Sequence, residues 1–410
     1  MHRVVVTGIG IVSPIGIGVD RFWQAMLDGR IGVGPITRFD TEGYPSRIAA
    51  EIDAFNPSDY MEAKRVRWTD RFAQFAVAAA RGAFDDAGFF PNGHRKDVGV
   101  YIGSALGGVA YADEQHDVFR ERGLSSVKPL LAISVFGGSA TCNVALEFDL
   151  RGPTVANANS CASGAVAIGE AYRAVQRGEA RAALAGGAEA PLSPLTFGDF
   201  TVIGAMSTRN DDPQRASRPF DLQRDGFVMA EGAGMLVLER YTDAANRGAH
   251  IYGEIRGFAN TNDAHHMSAP RPDGESAARA IELALREAKL GCDEVEAVSA
   301  HGSSTPLGDR AESIALRRVF GEGAPSLRVT ASKGQHGHAL GAAGAWEAAL
   351  SLLTLRHGVL PRVVGHIVDD PDCSLPFVRE RADGSVRTMV SNTAGFGGLN
   401  AALVFTAVPG

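Results

Sequence analysis

The stretch NSCASG, Asn159–Gly164, places Cys161 at the mouth of a glycine- and alanine-rich segment that follows an apolar run. A free cysteine is ordinarily a small buried hydrophobe. At a helix N-terminus the unpaired N–H groups and the dipole favour the thiolate, which is the nucleophilic form. Three more segments share this layout, an apolar run that exits into a glycine-rich loop. AHGSSTPLGD carries His301, SKGQHGHALGAAGA carries Lys333, His336 and His338, and NTAGFGGLN carries Phe396 between glycines. Each has an ordinary reading by itself: a satisfied strand-end histidine, a solvated lysine, a helix start with small residues for close packing, a turn. Together they put a thiol, imidazoles and an ammonium at the carboxyl ends of strands, where α/β proteins gather their ligands. Their joint occurrence at such exits predicts one convergent site rather than four unrelated features.

The elements that must position these groups alternate between two patterns. Short β-branched runs read as strands: RVVVTGI, DVGVYIGS, RAALAGG, GMLVLER, EAVSAHG, LRVTASK, TMVSNTA and AALVFTAV. Ala-rich stretches of helical period lie between them, namely RFAQFAVAAARGAFDDAG, ASGAVAIGEAYRAVQRG, GESAARAIELALREAK and AAGAWEAALSLLTLRHG, the last with a His-Gly stop. The alternation predicts an α/β fold. A boundary is expected near ERYTDAANRGAHIYGEI, as a surface helix and turn rather than a flexible tether.

The bulk properties narrow the classes. The 410 residues are 45% hydrophobic, enough for one large or two fused domains. Cys142, Cys161, Cys292 and Cys373 show no metal-ligand spacing, so free thiols and a reducing compartment are expected. A net charge of −7 argues against general nucleic-acid binding. MHRVVVTGIGIVSP reads as a strand and loop, not a signal peptide, and no apolar stretch reaches a membrane span of about 20 residues. A cytoplasmic protein without a membrane or nucleic-acid partner is expected. TGIGIVS has GxG, but Ser13 replaces the third glycine, a weak dinucleotide signal.

NSCASG, HGSSTPLGD, SKGQHGH with LGAAGA, and GFGGLN resemble the four signature segments of the condensing β-ketoacyl-[acyl-carrier-protein] synthases, closest to their elongating, type II branch. AMSTRNDDPQRASRPFDLQRDGFVMAEGAG is similar to that branch too, and the likeness runs from the first strand to the last. It implies a thiolase-like fold: two similar α/β halves, residues 1–245 and 246–410, stacked as five α-β-α-β-α layers. It implies Cys161 as nucleophile, and the N–H groups of Cys161 and Phe396 as oxyanion hole. It implies His301 and His338 at the malonyl thioester oxygen, Lys333 paired with Glu312 behind them, Ser303 and Thr305 on the pantetheine arm, and Phe396 as a gate. No metal or other cofactor is implied. The partners implied are an acyl carrier protein and a second subunit, either a copy of this chain or a chain-length-factor-like sister.

Within that superfamily the pair of histidines matters. Chain-initiating synthases use Cys, His and Asn; thiolases need a second cysteine where this chain has Phe396; inactive partner subunits lack the cysteine. The resemblance therefore implies an active decarboxylating elongation enzyme of fatty-acid synthesis, with the active ketosynthase of a type II polyketide or polyene pathway as the alternative. A cysteine hydrolase leaves the lysine and second histidine unexplained, and a non-catalytic scaffold leaves the whole reactive set unexplained.

Some positions depart from the pattern. His336 stands where threonine is common and adds a third imidazole, either behind the site or at the surface. Ala394 replaces a frequent aromatic. Leu106 matches a position that limits acyl length, and Gly137 and Gly138 lie where the family lines the acyl pocket from the partner subunit, with small residues that imply a pocket of altered shape. Lys64 and Arg67, with Lys128, match a basic dock for an acidic carrier. Trp68 and Gly204 replace basic residues of that footprint.

Overall fold

The computed structural model describes residues 1–89, 95–321 and 327–408 of the chain. Strands of three or more residues are β1 (Val4–Ser13), β2 (Val98–Gly103), β3 (Thr154–Asn157), β4 (Ala182–Glu189), β5 (Gly232–Arg240), β6 (Gly253–Asn262), β7 (Ala297–Ser299), β8 (Arg328–Thr330), β9 (Thr388–Gly395) and β10 (Leu399–Thr406). They hydrogen-bond in the order β8-β7-β9-β10-β6-β1-β5-β4-β2-β3. Numbered within its own half, each set of five has the same spatial order, third-second-fourth-fifth-first. The parallel pairs correspond as well: β2 with β3 and β4 in the first half, β7 with β8 and β9 in the second. The halves meet at the short antiparallel pairing of Val4–Val6 with Gly253–Ile255.

The helices that matter for the site are α1 (Val19–Asp28), α2 (Arg71–Ala87), α3 (Ser163–Arg177), α4 (Pro194–Val202), α5 (Glu275–Ala288), α6 (Pro306–Phe320) and α7 (Ala343–His357). Helix α2 packs on β1 and β5. It comes so near that a Cβ on Gly10 would lie 1.8 Å from the Ala79 carbonyl oxygen, so only glycine fits. Helices α3 and α7 lie between the two half-sheets, while α5 and α6 cover the outer side of the second. From α2 outward to α5 and α6 the layers alternate α-β-α-β-α, the architecture that the family resemblance implied. Helix α7 is buried all round up to Leu355, as a helix enclosed by sheets must be, and its sequence is accordingly apolar on every face.

Both central helices start the same way. Asn159 (φ −87°, ψ 40°) and Ala339 (φ −86°, ψ 36°) each precede a residue of positive φ, Ser160 at 52° and Leu340 at 42°. One 3₁₀ turn follows in each, then a helix of 15 residues. Cys161 is the central residue of the first turn and Gly341 of the second. The expected surface helix at the boundary is Tyr241–Asn246. Among the described residues no helix is long and apolar enough to cross a membrane.

All eight sequence-derived strands and all four helices are present. Strands β3 and β6 were not among them. β3 has four residues, and β6, GEIRGFANTN, carries two glycines and a polar end that blur its alternation. Helix α6 also lacks a strong apolar stripe. It is set by its start, where Thr305 Oγ1 accepts from the Gly308 N–H at 3.2 Å and Pro306 occupies the first turn.

Candidate active site

Cys161 sits just beyond the end of β3. The turn is held by Asn157 Nδ2, which donates to the Ser163 carbonyl at 3.1 Å, and by Ser163 Oγ, which donates to the Ser160 carbonyl at 2.6 Å. The left-handed conformation of Ser160 is a strained one for a residue with a side chain, and it turns Cys161 toward the cavity. The Phe396 N–H and the Ser160 hydroxyl, 3.8 Å from Sγ, both donate toward the sulfur. The thiol is nonetheless not held low, as the helix start had led us to expect. Burial pushes it up to about 11, outweighing these donors and the Lys333 charge. The thiolate would lose more hydration than the surrounding dipoles return.

His301 and His338 face each other edge to face, ring centroids 5.2 Å apart. Both are buried, and burial, then the nearby Lys333 ammonium, hold both well below the ordinary histidine range. They are neutral imidazoles at physiological pH. Lys333, fully buried on the turn Lys333–His336, donates to the His301 carbonyl and stands 3.3 Å from His301 Nδ1. An ammonium has no lone pair to accept with, so Nδ1 is the acceptor and the proton of His301 sits on Nε2.

The ion-pair partner of Lys333 is Glu347 on α7, not Glu312 as the sequence had implied. Glu312 is taken up elsewhere. Its carboxylate accepts from the backbone N–H groups of His301 (2.7 Å) and Gly302 (2.8 Å) and from Asn392 Nδ2 (2.7 Å). It therefore shapes the loop that carries His301, and the Lys333 ammonium acts on it only through its charge, without direct contact.

A cavity of about 350 Å³ opens beside these groups. Cys161, His301, His338, Ser303, Thr305 and Phe396 all line it. The hydroxyls of Ser303 and Thr305 are 2.8 Å apart. Two aromatic residues that the sequence reading did not single out complete the wall, Phe200 on α4 and Phe227. They continue a run of ring contacts. Phe396 stacks on Phe200 at 6.2 Å, Phe200 meets Phe227 at 6.0 Å, and Phe227 meets His338 at 5.3 Å.

Leu106, Gly137 and Gly138 do not line this cavity within the single chain. Leu106 packs into the apolar cluster around Cys161 and Phe197, and Gly137 backs it, 3.1 Å from where a Cβ on Gly107 would stand. Glu189, at the end of β4, ties this loop to the second half. Its carboxylate accepts from the N–H groups of Ala105 (2.7 Å), Leu106 (3.1 Å) and Gly341 (2.9 Å) and from the Ser104 hydroxyl (2.9 Å). Lys64, Arg67 and Lys128 are exposed, and the Lys64 ammonium lies 5.4 Å over the Trp68 ring.

Glu347 and Glu189 are buried carboxylates behind the site that sequence reasoning missed. Glu347 had a signal, because it is the single acid in the otherwise apolar AGAWEAALSLL, and a lone charge on a buried helix needs a partner.

In chemical terms the arrangement offers a thiol nucleophile, two backbone N–H groups near it, and neutral imidazole donors across a narrow, mostly apolar cavity. Comparison with known proteins agrees with this set. Residues 1–244 match the family model "Beta-ketoacyl synthase, N-terminal domain" and residues 252–366 match "Beta-ketoacyl synthase, C-terminal domain". The chain is 42% identical over 405 residues, 98% of each chain, to the 3-oxoacyl-[acyl-carrier-protein] synthase 2 of Staphylococcus aureus (strain N315). Two solved structures superpose over 100% of both chains at 34% identity. One is "The ishigamide ketosynthase/chain length factor", at a TM-score of 0.93. The other is the AntDE:AntF complex, a type II PKS acyl-carrier protein with its ketosynthase bound to the hexaketide, at 0.91.

Proposed function

Since the chain belongs to the β-ketoacyl synthase family, we propose that it is a β-ketoacyl-[acyl-carrier-protein] synthase, an acyltransferase that extends an acyl chain by two carbons. The observation that carries this reading is the convergence of Cys161, His301 and His338 on one cavity, with Lys333 buried behind them. Cys161 takes the acyl group from a carrier-protein thioester, the carrier's pantetheine sulfur leaves and takes up the proton the thiol gives up, and the N–H groups of Cys161 and Phe396 stabilise the oxyanion. Malonyl carrier protein then loses CO₂. His301, and His338 beside it, donate to the thioester oxygen as it becomes an enolate, whose carbon attacks the acyl-enzyme carbonyl; the carbon–sulfur bond then breaks and Cys161 leaves as the thiolate. A neutral imidazole N–H suits this role, because it hydrogen-bonds the developing enolate oxygen without transferring its proton. Ser303 and Thr305 hold the pantetheine arm at the cavity mouth, and Phe396 gates the acyl side. Lys64, Arg67 and Lys128 receive the carrier. Leu106, Gly137 and Gly138 border the acyl end, where a second subunit completes the pocket. The two halves are residues 1–245 and 246–410, and the protein works in the cytoplasm.

A second reading rests on a specific observation: the two structural neighbours named above are a polyketide ketosynthase and a ketosynthase with its chain-length factor. On that reading the same chemistry serves a type II polyketide or polyene pathway. Intact mass after incubation with a panel of acyl carrier proteins, wild type beside Cys161→Ala, tests both. Acyl mass on wild type alone supports the nucleophile, and the preferred acyl groups distinguish the pathways. No adduct with any acyl group overturns the autonomous enzyme in favour of an obligate heterodimer or a scaffold.

A further inference from the structure

His336 is fully buried, which removes the surface alternative that the sequence left open. It does not line the cavity. Its Nδ1 lies 2.7 Å from the Gly337 carbonyl oxygen. A carbonyl only accepts, so Nδ1 carries the proton. The ring is wedged against Trp346 of α7, centroids 4.8 Å apart, and beside Phe22 of α1. Its Nε2 is buried with no hydrogen-bond partner among the described residues. An apolar side chain would fill this place without leaving a nitrogen unpaired, so packing alone does not account for an imidazole here.

The bond it makes falls on the peptide unit that leads into His338. The carbonyl of that unit is held by His336 Nδ1–H, and its N–H donates to the Val228 carbonyl at 2.7 Å. The peptide plane is thus clamped at both ends. One residue on, the His338 carbonyl accepts from the Ala230 N–H at 3.0 Å. The clamp is set where the backbone has least intrinsic preference, since Gly337 takes φ 69°. The Lys333–His336 turn therefore carries a support at each end: Lys333 at its start holds His301, and His336 at its end holds the entry to His338.

We propose that His336 is a positioning residue for His338, fixing through its Nδ1–H bond to the Gly337 carbonyl where the His338 ring meets the malonyl thioester. This rests on the condensing reading above. Burial and the Lys333 ammonium hold His336 down to about 3, so the ring stays a neutral Nδ1–H donor over the whole working range.

The test separates the two half-reactions. In His336→Leu, which fills space but cannot donate, release of labelled CO₂ from malonyl carrier protein should fall on the order of 10- to 100-fold, as expected for a displaced catalytic group. Acylation of Cys161, read by intact mass, should stay within about threefold. His336→Asn, whose side-chain N–H₂ can reach the same carbonyl, should recover most of the loss. Wild-type CO₂ release by His336→Leu, an equal fall in both half-reactions, or no rescue by asparagine would each overturn the inference. Should the leucine variant not fold, ¹⁵N-histidine spectra of the wild type decide: an Nδ1–H tautomer is required, and an Nε2–H tautomer refutes it. Wild-type protein that neither acylates nor releases CO₂, alone or with a chain-length-factor-like subunit, sinks the condensing reading, and this inference with it. An active wild type with an indifferent His336 sinks this inference alone.

Discussion

Lys333 and Glu347 form a fully buried ion pair, one partner on the turn that leads to His338 and the other on the helix α7 that follows it. The pair fastens that turn to the most enclosed helix of the molecule, and the ammonium has two hydrogens left for His301.

Breaking this pair should cost more than it would at a surface. Lys333→Met and Glu347→Gln are each expected to lower the unfolding free energy by about 3–5 kcal/mol, because each leaves a buried group without its partner. The double variant should lose clearly less than the sum. Urea unfolding of the four proteins measures the coupling, and strictly additive losses would contradict a direct buried pair. On the condensing reading, Lys333→Met should also lower CO₂ release, which uses His301, more than Cys161 acylation, on which Lys333 acts only through its charge.

The position of the Cys161 thiol has a kinetic signature. With the thiol pushed up to about 11, only about one molecule in ten thousand carries a thiolate at pH 7. Alkylation of Cys161 by iodoacetamide should rise about tenfold per pH unit between pH 7 and 9, with no plateau. Peptide-resolved mass spectrometry keeps it apart from the exposed Cys142 and Cys292. A plateau near pH 8.5 would mean that the site holds the thiol at its ordinary value.

Docking can be tested by charge and by salt. Lys64→Glu with Arg67→Glu should raise the apparent KM for carrier protein about tenfold or more and leave kcat nearly unchanged. Wild type should lose part of this advantage as salt rises beyond about 0.1 M, where the screening length falls below about 10 Å. An unchanged KM removes the patch from the binding surface.

Much of this was legible beforehand. Cys161, His301, Lys333, His338 and Phe396 announce themselves because each leaves an apolar run for a glycine-rich loop, and such exits converge in an α/β protein. What local pattern did not carry was pairing over distance. Lys333 has Glu312 21 residues before it and Glu347 14 residues after it, and nothing in the order of residues says which carboxylate it faces. The backbone N–H groups of His301 and Gly302 decide, because they claim Glu312 first. The thiol was misjudged for a related reason. A helix start is visible in sequence, whereas the desolvation that overrides it depends on layers supplied from both halves. Phe200 had no signal, since an aromatic that faces a cavity reads like one that faces a core, and Phe227 lay unremarked in a segment whose likeness to the family concerned its whole length.

The paired turns before α3 and α7 do different work. Gly341 holds in the second turn the place that Cys161 holds in the first. A Cβ there would lie 2.5 Å from the Ala105 nitrogen and 2.7 Å from Glu189 Oε2. The second turn now serves as the wall against which the first is built, and its own N–H is committed to Glu189. A cysteine at 341 would therefore displace the Glu189 carboxylate and the loop it holds. The two turns are therefore not interchangeable: the first half brings the thiol to the cavity, and the second brings His301, His338 and Phe396 to it from other loops.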